Sequence, residues 1–381
     1  MLRGVRNSVV RRSIHFSVCH NNTNNSPCVA QEKTETATLI RDDLKRVSPG
    51  MRRMLGCNLD HLQDASTYYT LAQGKQLRPS LVLLVSRAVS LLNGINRSVA
   101  SERYILDCNP ALLLDGDVLP SQLRLAQITE MIHVASLLHD DVIDLATHRR
   151  GQVSGNIAFG NQQAVFAGDF ILARASTAMA RLRNTRVTEL LATVIADLIR
   201  GEFLQLRNVD EKGGDALQAS FDYYLEKSYL KTASLISKSC MAAAVLGKAV
   251  PSIVQAIGEF GRCLGIAFQL VDDALDFKST DGDLGKPANA DLKLGLATAP
   301  VLFAWKQFPE LESAVRSNFQ SKGAIEQARQ YVREADGVRK TEAWAGQFIV
   351  KAKGLLSSHI PDSPPLQALL DICDRVITRK K

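Results

Sequence analysis

Apolar residues recur at spacings of three and four along most of this chain, and this pattern limits the fold more than any other feature. One series consists of Leu125, Ile128, Met131, Ile132, Ala135, Leu138 and Val142. A second consists of Val187, Leu191, Val194, Leu198 and Leu204. Both have the period of an α-helix. Alternating strand patterns are scarce, and Ala, Leu, Arg and Glu, which favour helices, dominate. The sequence therefore predicts an all-α fold.

Several of the predicted helices, such as 164–182 and 235–246, carry apolar or small residues on more than one side. A helix that is apolar all round is buried inside a protein. We therefore predict a single large helical bundle spanning residues 39–381. Breaks are predicted where Gly, Pro and Asp cluster, at 94–120, 212–214 and 279–290.

The N-terminal segment differs from the rest in composition. Residues 1–31 contain no acidic side chain, and Arg3, Arg6, Arg11 and Arg12 alternate with apolar residues. This composition is typical of a mitochondrial transit peptide. We predict that residues 1–38 are such a peptide and a disordered leader, and a plain basic tail is the alternative.

The remaining bulk features exclude several classes of protein. The net charge of +7 is partly due to the N-terminal arginines, and the other basic residues are dispersed, so we predict no nucleic-acid partner. The seven cysteines form no CxxC pair and are predicted to be reduced packing thiols. No apolar run reaches the length of about 18 residues that predicts a membrane span.

The first chemically informative motif is Asp140-Asp141-x-x-Asp144, at the end of the helical series that begins near Leu125. Asp140 and Asp144 are four residues apart and therefore share one helix face, with Asp141 beside them. Like charges at this spacing destabilise a helix by a few tenths of a kcal/mol. The motif is therefore expected to have a compensating partner.

The same spacing recurs in Asp272-Asp273-x-x-Asp276, within another apolar helix. Mg²⁺ prefers oxygen ligands and usually takes one or two carboxylates together with water and substrate phosphate. Two carboxylate walls across a cleft would suit a phosphate-bearing substrate. A solvated acidic patch is the alternative for one motif, but two copies favour metal, and neither matches a calcium-binding EF-hand loop.

Basic residues suited to phosphate accompany these motifs. Arginine binds phosphate through its two-pronged guanidinium group and lysine through a point charge. Taken singly, each of these residues is more often a surface charge. The candidates are Lys75, Arg78, Arg149, Arg150, Lys231 with Thr232, and Lys286.

Several motifs together link the chain to a known family. In order, they are GKQLRP, EMIHVASLLHDDVID, THRRGQ, AGDF, YLKTASLISKSC, FQLVDDALDF and DLGKP. From about residue 40 to the C-terminus the sequence resembles the trans-prenyltransferases, or polyprenyl diphosphate synthases. The segment ADLKLGLAT at 290–298 resembles the mitochondrial members that make the ubiquinone side chain.

This resemblance implies the all-helical isoprenoid synthase fold with a central active-site cavity. It implies Mg²⁺-dependent, sequential condensation of isopentenyl diphosphate onto farnesyl or geranylgeranyl diphosphate, giving a long-chain product. The implied metal ligands are Asp140, Asp141, Asp144, Asp272, Asp273 and Asp276. These aspartates and Lys231 are also the implied catalytic residues. Residues implied to contact the allylic diphosphate are Arg149, Lys231, Thr232, Gln269 and Lys286. Those implied for isopentenyl diphosphate are Gly74, Lys75, Arg78, His133 and Arg150.

The resemblance also bears on product length. In the family, a bulky aromatic residue about one turn before the first motif blocks the tunnel. Ala135 and Ser136 stand here and imply a long product, although small residues also simply allow close helix packing. One departure is Leu296, where many members have lysine, and Lys293 is a candidate to compensate for it.

Three alternatives remain at this point. They are a shorter-chain synthase, a subunit that acts only in a hetero-oligomer, and a terpene cyclase. Complete acidic motifs and a predicted isopentenyl site disfavour the last two. We expect a homodimer or hetero-oligomer in the mitochondrial matrix, with peripheral contact to the inner membrane left open.

Overall fold

The computed structural model describes residues 38–71, 76–93, 118–205, 216–278 and 290–379. The helices of the first half are α1 (Arg41–Leu55), α2 (Asp60–Leu71), α3 (Leu77–Leu92), α4 (Pro120–Ile143), α5 (Gly155–Phe159), α6 (Asn161–Arg181) and α7 (Thr185–Gln205). Those of the second half are α8 (Ala216–Ser228), α9 (Ser234–Leu246), α10 (Pro251–Lys278), α11 (Ala290–Lys293), α12 (Ala299–Gln307), α13 (Leu311–Arg316), α14 (Ala324–Glu334), α15 (Gly337–His359) and α16 (Pro364–Thr378). The all-α prediction is confirmed.

Helix α4 lies at the centre of the bundle and packs against α1, α3, α6 and α9. Pro120 opens it at a position where no backbone N–H is needed, and the Gln122 side chain accepts a hydrogen bond from the Leu119 N–H at 2.9 Å. Every residue from Pro120 to Ile132 is buried. Half-buried and exposed residues occur only from His133 onward, toward the C-terminal end that carries the first acidic motif.

The second motif lies on α10, which packs against α9, α15 and α16. Because α9 contacts both α4 and α10, it joins the two helices that carry the acidic motifs. The predicted helices 164–182 and 235–246 correspond to α6 and α9. The predicted breaks at 94–120, 212–214 and 279–290 fall largely outside the described residues, as does the predicted leader at 1–38 apart from its last residue.

A short hairpin follows α4 and was not predicted. Its strands are β1 (His148–Arg149) and β2 (Gln152–Val153), with Arg149 opposite Gln152. The two turn residues, Arg150 and Gly151, have φ values of 53° and 78°. Two-residue hairpin turns need positive φ at such positions because of the strand twist. The hairpin therefore presents Arg149 and Arg150 at one end of α4.

Two further expectations concern the thiols and membrane spans. Cys240, Cys263 and Cys373 are buried free thiols, and burial raises the pKa of Cys240 to about 12, so this thiol stays protonated. Within the described ranges, no helix combines the length and the apolar character needed to cross a membrane.

Candidate active site

Asp140 and Asp144 are half-buried at the C-terminal end of α4. The Asp144 N–H donates to the Asp140 carbonyl at 2.8 Å and ends the helix. The pKa of Asp140 is raised to about 7, mainly by burial and also by the charges of Glu202 and Asp144, while Lys231 and Arg149 oppose the shift. A carboxylate that ionises reluctantly among other carboxylates is a favourable place for a cation.

Asp141 has a different environment from its neighbour. It is fully buried, at 0% exposure, and accepts a hydrogen bond from the Tyr69 hydroxyl. Its other oxygen accepts from Nε of Arg149 at 2.7 Å and from Nη2 at 2.6 Å. The carboxylate predicted as a metal ligand is thus held by protein donors in this structure.

The aspartates of the second motif also differ from one another in exposure. Asp272 is the exposed member, with 46% of its side chain accessible, and pairs with Arg379 at 2.8 Å. Asp276 is half-buried and accepts from the Asp291 N–H at 3.4 Å. Asp273 is 2% exposed, and burial raises its pKa to about 6, against the hydrogen bonds from Tyr224 and Gln269.

Lys231 and Thr232 lie in a single π-type turn, Tyr229–Ala233, between α8 and α9. Such turns are rare and often occur at functional sites. The Lys231 ammonium donates to Glu202 Oε1 at 2.9 Å and to Gln205 at 2.7 Å. Burial lowers the pKa of Lys231, but the charges of Asp140 and Glu202 outweigh it, so the net shift is upward. Lys231 is therefore a charged donor beside the first motif.

Two glycines allow this turn to fit between its neighbours. A Cβ at Gly201 of α7 would lie 2.9 Å from the Lys231 backbone nitrogen, and one at Gly265 of α10 would lie 2.5 Å from the Ala233 Cα. Both distances are too short for a real Cβ contact. The turn is thus enclosed by backbone on two sides.

A second cluster of basic residues contains Arg78 and the hairpin residue Arg150. The Arg78 guanidinium donates to His133 Nε2 at 3.1 Å, and Arg150 lies 3.5 Å from Glu130. Burial, reinforced by the charges of Arg78 and Arg150, holds the pKa of His133 well below its usual value. His133 is therefore a neutral acceptor for Arg78, as expected of a positioning group.

A cavity of about 240 Å³ lies beside the first acidic motif. Its lining includes the charged residues Asp140, Glu202 and Lys231 together with His139, and the rest is mainly apolar. The apolar lining comprises Ile132, Ile143, Leu172, Ile195, Leu198, Ile199 and Phe203. Ser136 also lines the cavity, whereas Ala135, its neighbour in the chain, is fully buried and is not part of the lining.

The carboxylates are suited to Mg²⁺ that a substrate brings with it. Within the ranges described, no three Asp, Glu, His or Cys side chains converge as a preformed cage. Mg²⁺ does not need one, because it fills its octahedral shell with water and phosphate oxygens. The desolvated carboxylate of Asp140, facing Asp144, has the donor chemistry that this ion requires.

The structure describes most of the predicted site residues and adds four that were not predicted. Gly74, Lys75 and Lys286 lie outside the described residues. Lys293 is exposed in α11, and its compensating role stays a prediction. Glu130, Glu202, Tyr69 and Tyr224 were not predicted as site residues. The position of Glu130 within the apolar sequence EMIHVASLL could have indicated a role for it, but no local pattern predicts the contacts of the two tyrosines.

An all-α bundle with two carboxylate-bearing helix ends, flanking arginines and an apolar cavity defines a class of enzyme that handles diphosphates of apolar alcohols. Comparison with known proteins identifies the family. The polyprenyl synthetase family model matches residues 59–333, and the chain belongs to this family. It is a prenyltransferase that makes polyprenyl diphosphates.

Three relatives illustrate the similarity. Decaprenyl-diphosphate synthase subunit 1 of Schizosaccharomyces pombe is 59% identical, over 90% of this chain and 91% of its own. A probable mitochondrial hexaprenyl pyrophosphate synthase of Neurospora crassa is 47% identical, over 90% of this chain and 81% of its own. The crystal structure of a Caulobacter crescentus polyprenyl synthase, complexed with calcium and isoprenyl diphosphate, superposes with a TM-score of 0.76 at 28% identity, covering 91% and 98% of the two chains.

Proposed function

We propose that this protein is a Mg²⁺-dependent synthase that extends an allylic diphosphate with isopentenyl diphosphate and delivers a long-chain product for the ubiquinone side chain. The cavity carries this proposal. It joins the charged end at Asp140, Glu202 and Lys231 to an apolar lining that begins at Ile132. That combination suits a molecule with a diphosphate head and a growing hydrocarbon tail.

Asp140, Asp144, Asp272 and Asp276 would hold the Mg²⁺ ions, because they are the motif carboxylates that are not buried. When bound, the metal supplies Lewis-acid neutralisation of the departing diphosphate. Asp141 and Asp273 remain candidate ligands, but both are buried and accept hydrogen bonds from protein donors on both oxygens, so we assign them a supporting role.

The basic residues act on the same leaving group. Arg149, fixed by Asp141, donates to the allylic diphosphate, and Lys231 and Thr232 do so from the π-type turn, with Gln269 beside them. Lys286 would add a further charge. Preorganised donors of this kind stabilise charge that develops as the allylic carbon–oxygen bond breaks. The apolar lining excludes water from the resulting cation.

Isopentenyl diphosphate would be held by Arg78, His133 and Arg150, together with Gly74 and Lys75. Its double bond attacks the allylic cation, which forms the new carbon–carbon bond. The adduct then loses a proton. Because His133 accepts a hydrogen bond from Arg78, we assign this proton to the released diphosphate instead.

Oligomerisation and location are further parts of the proposal. Phe166, Ile199 and Phe203 of α6 and α7 are more than half exposed, an arrangement that favours coverage by another subunit. The Schizosaccharomyces pombe relative is named as one subunit of its enzyme, so we propose a homodimer or a complex with a related subunit. We propose that the protein acts in the mitochondrial matrix, since the Neurospora crassa relative is mitochondrial.

The direct test is a chain-length assay. The purified protein is incubated with Mg²⁺, farnesyl diphosphate and labelled isopentenyl diphosphate, and the products are separated by chromatography. We expect products between the hexaprenyl and decaprenyl lengths. Products no longer than geranylgeranyl diphosphate would contradict the long-chain assignment. Incorporation only after a partner subunit is added would support the hetero-oligomer over the homodimer.

A further inference from the structure

Two pairs of adjacent tyrosines, Tyr68-Tyr69 and Tyr223-Tyr224, account for four of the seven tyrosines in the chain. They lie on α2 and α8, far apart in the sequence. In each pair the first tyrosine donates to a backbone carbonyl, and the second donates to the central aspartate of an acidic motif. The same arrangement thus occurs twice around the site.

At the first motif, the Tyr69 hydroxyl links two parts of the site. It donates to Asp141 and accepts from the Gly155 N–H at 2.7 Å. The opposite oxygen of Asp141 holds Arg149. Tyr69 is 1% exposed, so its hydroxyl is shielded from solvent. Without it, Asp141 would lose a donor and gain freedom to rotate, and Arg149 would move with it.

At the second motif, the Tyr224 hydroxyl donates to Asp273 Oδ2 at 2.6 Å. Asp273 Oδ1 accepts from the Gln269 side-chain amide at 2.8 Å. The Gln269 carbonyl in turn accepts from the Thr232 hydroxyl at 2.8 Å. A single chain of hydrogen bonds therefore connects Tyr224 to the π-type turn.

The two hydrogen-bond networks have the same arrangement around a buried aspartate. A buried carboxylate that loses a hydrogen-bond donor is left unpaired away from water, which is costly. Its orientation is therefore set by the groups that donate to its two oxygens. One oxygen is filled by a tyrosine on a neighbouring helix. The other is filled by a residue assigned to the allylic diphosphate, Arg149 in one case and Gln269 in the other.

We propose that Tyr69 and Tyr224 are positioning residues for the allylic diphosphate, Tyr69 orienting Arg149 through Asp141, and Tyr224 orienting Gln269 and Thr232 through Asp273. The proposal rests on the diphosphate-binding roles given above. It assigns the central aspartates to hydrogen bonding and leaves the metal to the outer ones.

The test compares Tyr69→Phe and Tyr224→Phe with the matched controls Tyr68→Phe and Tyr223→Phe in the full chain. The controls remove one hydrogen bond from an adjacent position, to Val153 and Leu204 respectively. KM is measured separately for farnesyl diphosphate and isopentenyl diphosphate. We expect both test variants to raise the farnesyl diphosphate KM by about tenfold, because a misplaced Arg149 or Gln269 would lose a hydrogen bond to the charged diphosphate. The isopentenyl diphosphate KM should change by less than twofold.

A merely structural role predicts a different result. It would lower the amount of active enzyme, and hence kcat, without a selective effect on one substrate. An unchanged farnesyl diphosphate KM in both test variants, or equal changes in test and control variants, would overturn the proposal.

A double-mutant cycle tests the route of the effect. If Tyr69 acts through Arg149, Tyr69→Phe should have little further effect in an Arg149→Gln background, because the coupled group is already lost. Additive effects would overturn this route. If Arg149→Gln itself leaves the farnesyl diphosphate KM unchanged, the site assignment fails instead, so the two failures can be told apart.

A second pair of variants covers the case in which the phenylalanine substitutions prevent folding. Asp141→Asn and Asp273→Asn keep the shape and an acceptor for the tyrosine but alter the contact to Arg149 or Gln269. They should raise the same KM selectively. Folded asparagine variants with the wild-type farnesyl diphosphate KM would overturn the proposal.

Discussion

Asp140 and Asp141 are adjacent in the chain and chemically identical, yet the fold gives them different surroundings. Asp140 lines a cavity opposite Lys231 and Glu202, whereas Asp141 is enclosed by Tyr69 and Arg149. The helix period turns neighbouring side chains by about 100°, so one reaches the cleft and the other the core. Asp272 and Asp273 repeat this division on α10.

This division predicts unequal effects on metal binding. At saturating inorganic diphosphate, Asp140→Asn should weaken Mn²⁺ binding by about tenfold or more, as loss of a site-organising group commonly does. Asp141→Asn should leave it within a few-fold of wild type, because that carboxylate is held by protein donors. Electron paramagnetic resonance of free Mn²⁺ measures both. Equal losses in the two variants would contradict the division.

His133 predicts a dependence of stability on pH. Burial lowers the pKa of His133 well below 6.5. Just below pH 6.5 the imidazole is therefore protonated in the unfolded state but stays neutral in the folded state. Stability therefore rises with pH up to about 6.5 and is lost as pH falls below it. In a series of melting temperatures from pH 5 to pH 7, His133→Gln should show a shallower fall on the acid side. An unchanged slope would show that other groups cause the acid loss.

At the scale of single elements, the π-type turn that carries Lys231 depends on the absence of side chains at Gly201 and Gly265. A helix that is overwound or underwound by one residue redirects the side chains that follow it. Here it presents Lys231 and Thr232 side by side next to the two acidic helices. The geometry of the diphosphate site therefore depends on helix packing as well as on the polar residues.

Gly265→Ala should displace this turn. The added Cβ would lie 2.5 Å from the Ala233 Cα, so the backbone must shift at a cost of about 1–3 kcal/mol. Chemical denaturation should show this loss, and activity should fall with it. Gly346→Ala on α15 is the matched control, because nothing lies within 4 Å of its Cβ and alanine favours a helix. Equal stability of the two variants would rule out the steric argument.

The sequence predicted the helices at α4 and α10 correctly because a strong apolar period accompanied each acidic motif. It could not predict the hairpin, whose turn depends on positive φ at Arg150, or the π-type turn, whose cause lies on two other helices. The split between Asp140 and Asp141 was equally hidden, since the tyrosine that decides it stands 72 residues earlier. Contacts of this kind are properties of the tertiary fold.

At the scale of the whole molecule, the cavity lies between α4 and α7, and Leu172 of α6 also lines it. On α4 its lining runs from Asp140 back to Ser136 and Ile132, a distance of about 12 Å along the helix. A hydrocarbon tail that follows this lining would pass Ser136 about one turn from the charged residues. Product length then depends on how early this path is obstructed.

Ser136→Phe should obstruct it near the start. Ser136 lines the cavity, and an aromatic ring there would occupy space that a lengthening product needs. We expect the mean product to shorten by several units while the first condensation continues, and chromatography of labelled products measures this. Ser176→Phe, at an exposed position on α6, is a control that should leave length unchanged. An unaltered product length in Ser136→Phe would remove Ser136 from the tunnel.

Arg379 has a practical consequence for handling this protein. Its guanidinium lies 3.7 Å from the centre of the Phe268 ring and pairs with Asp272, so the Arg379 side chain reaches the second acidic motif. An affinity tag or fluorescent fusion joined directly after position 379 would therefore begin near a carboxylate assigned to the metal. Polyhistidine would even supply competing ligands.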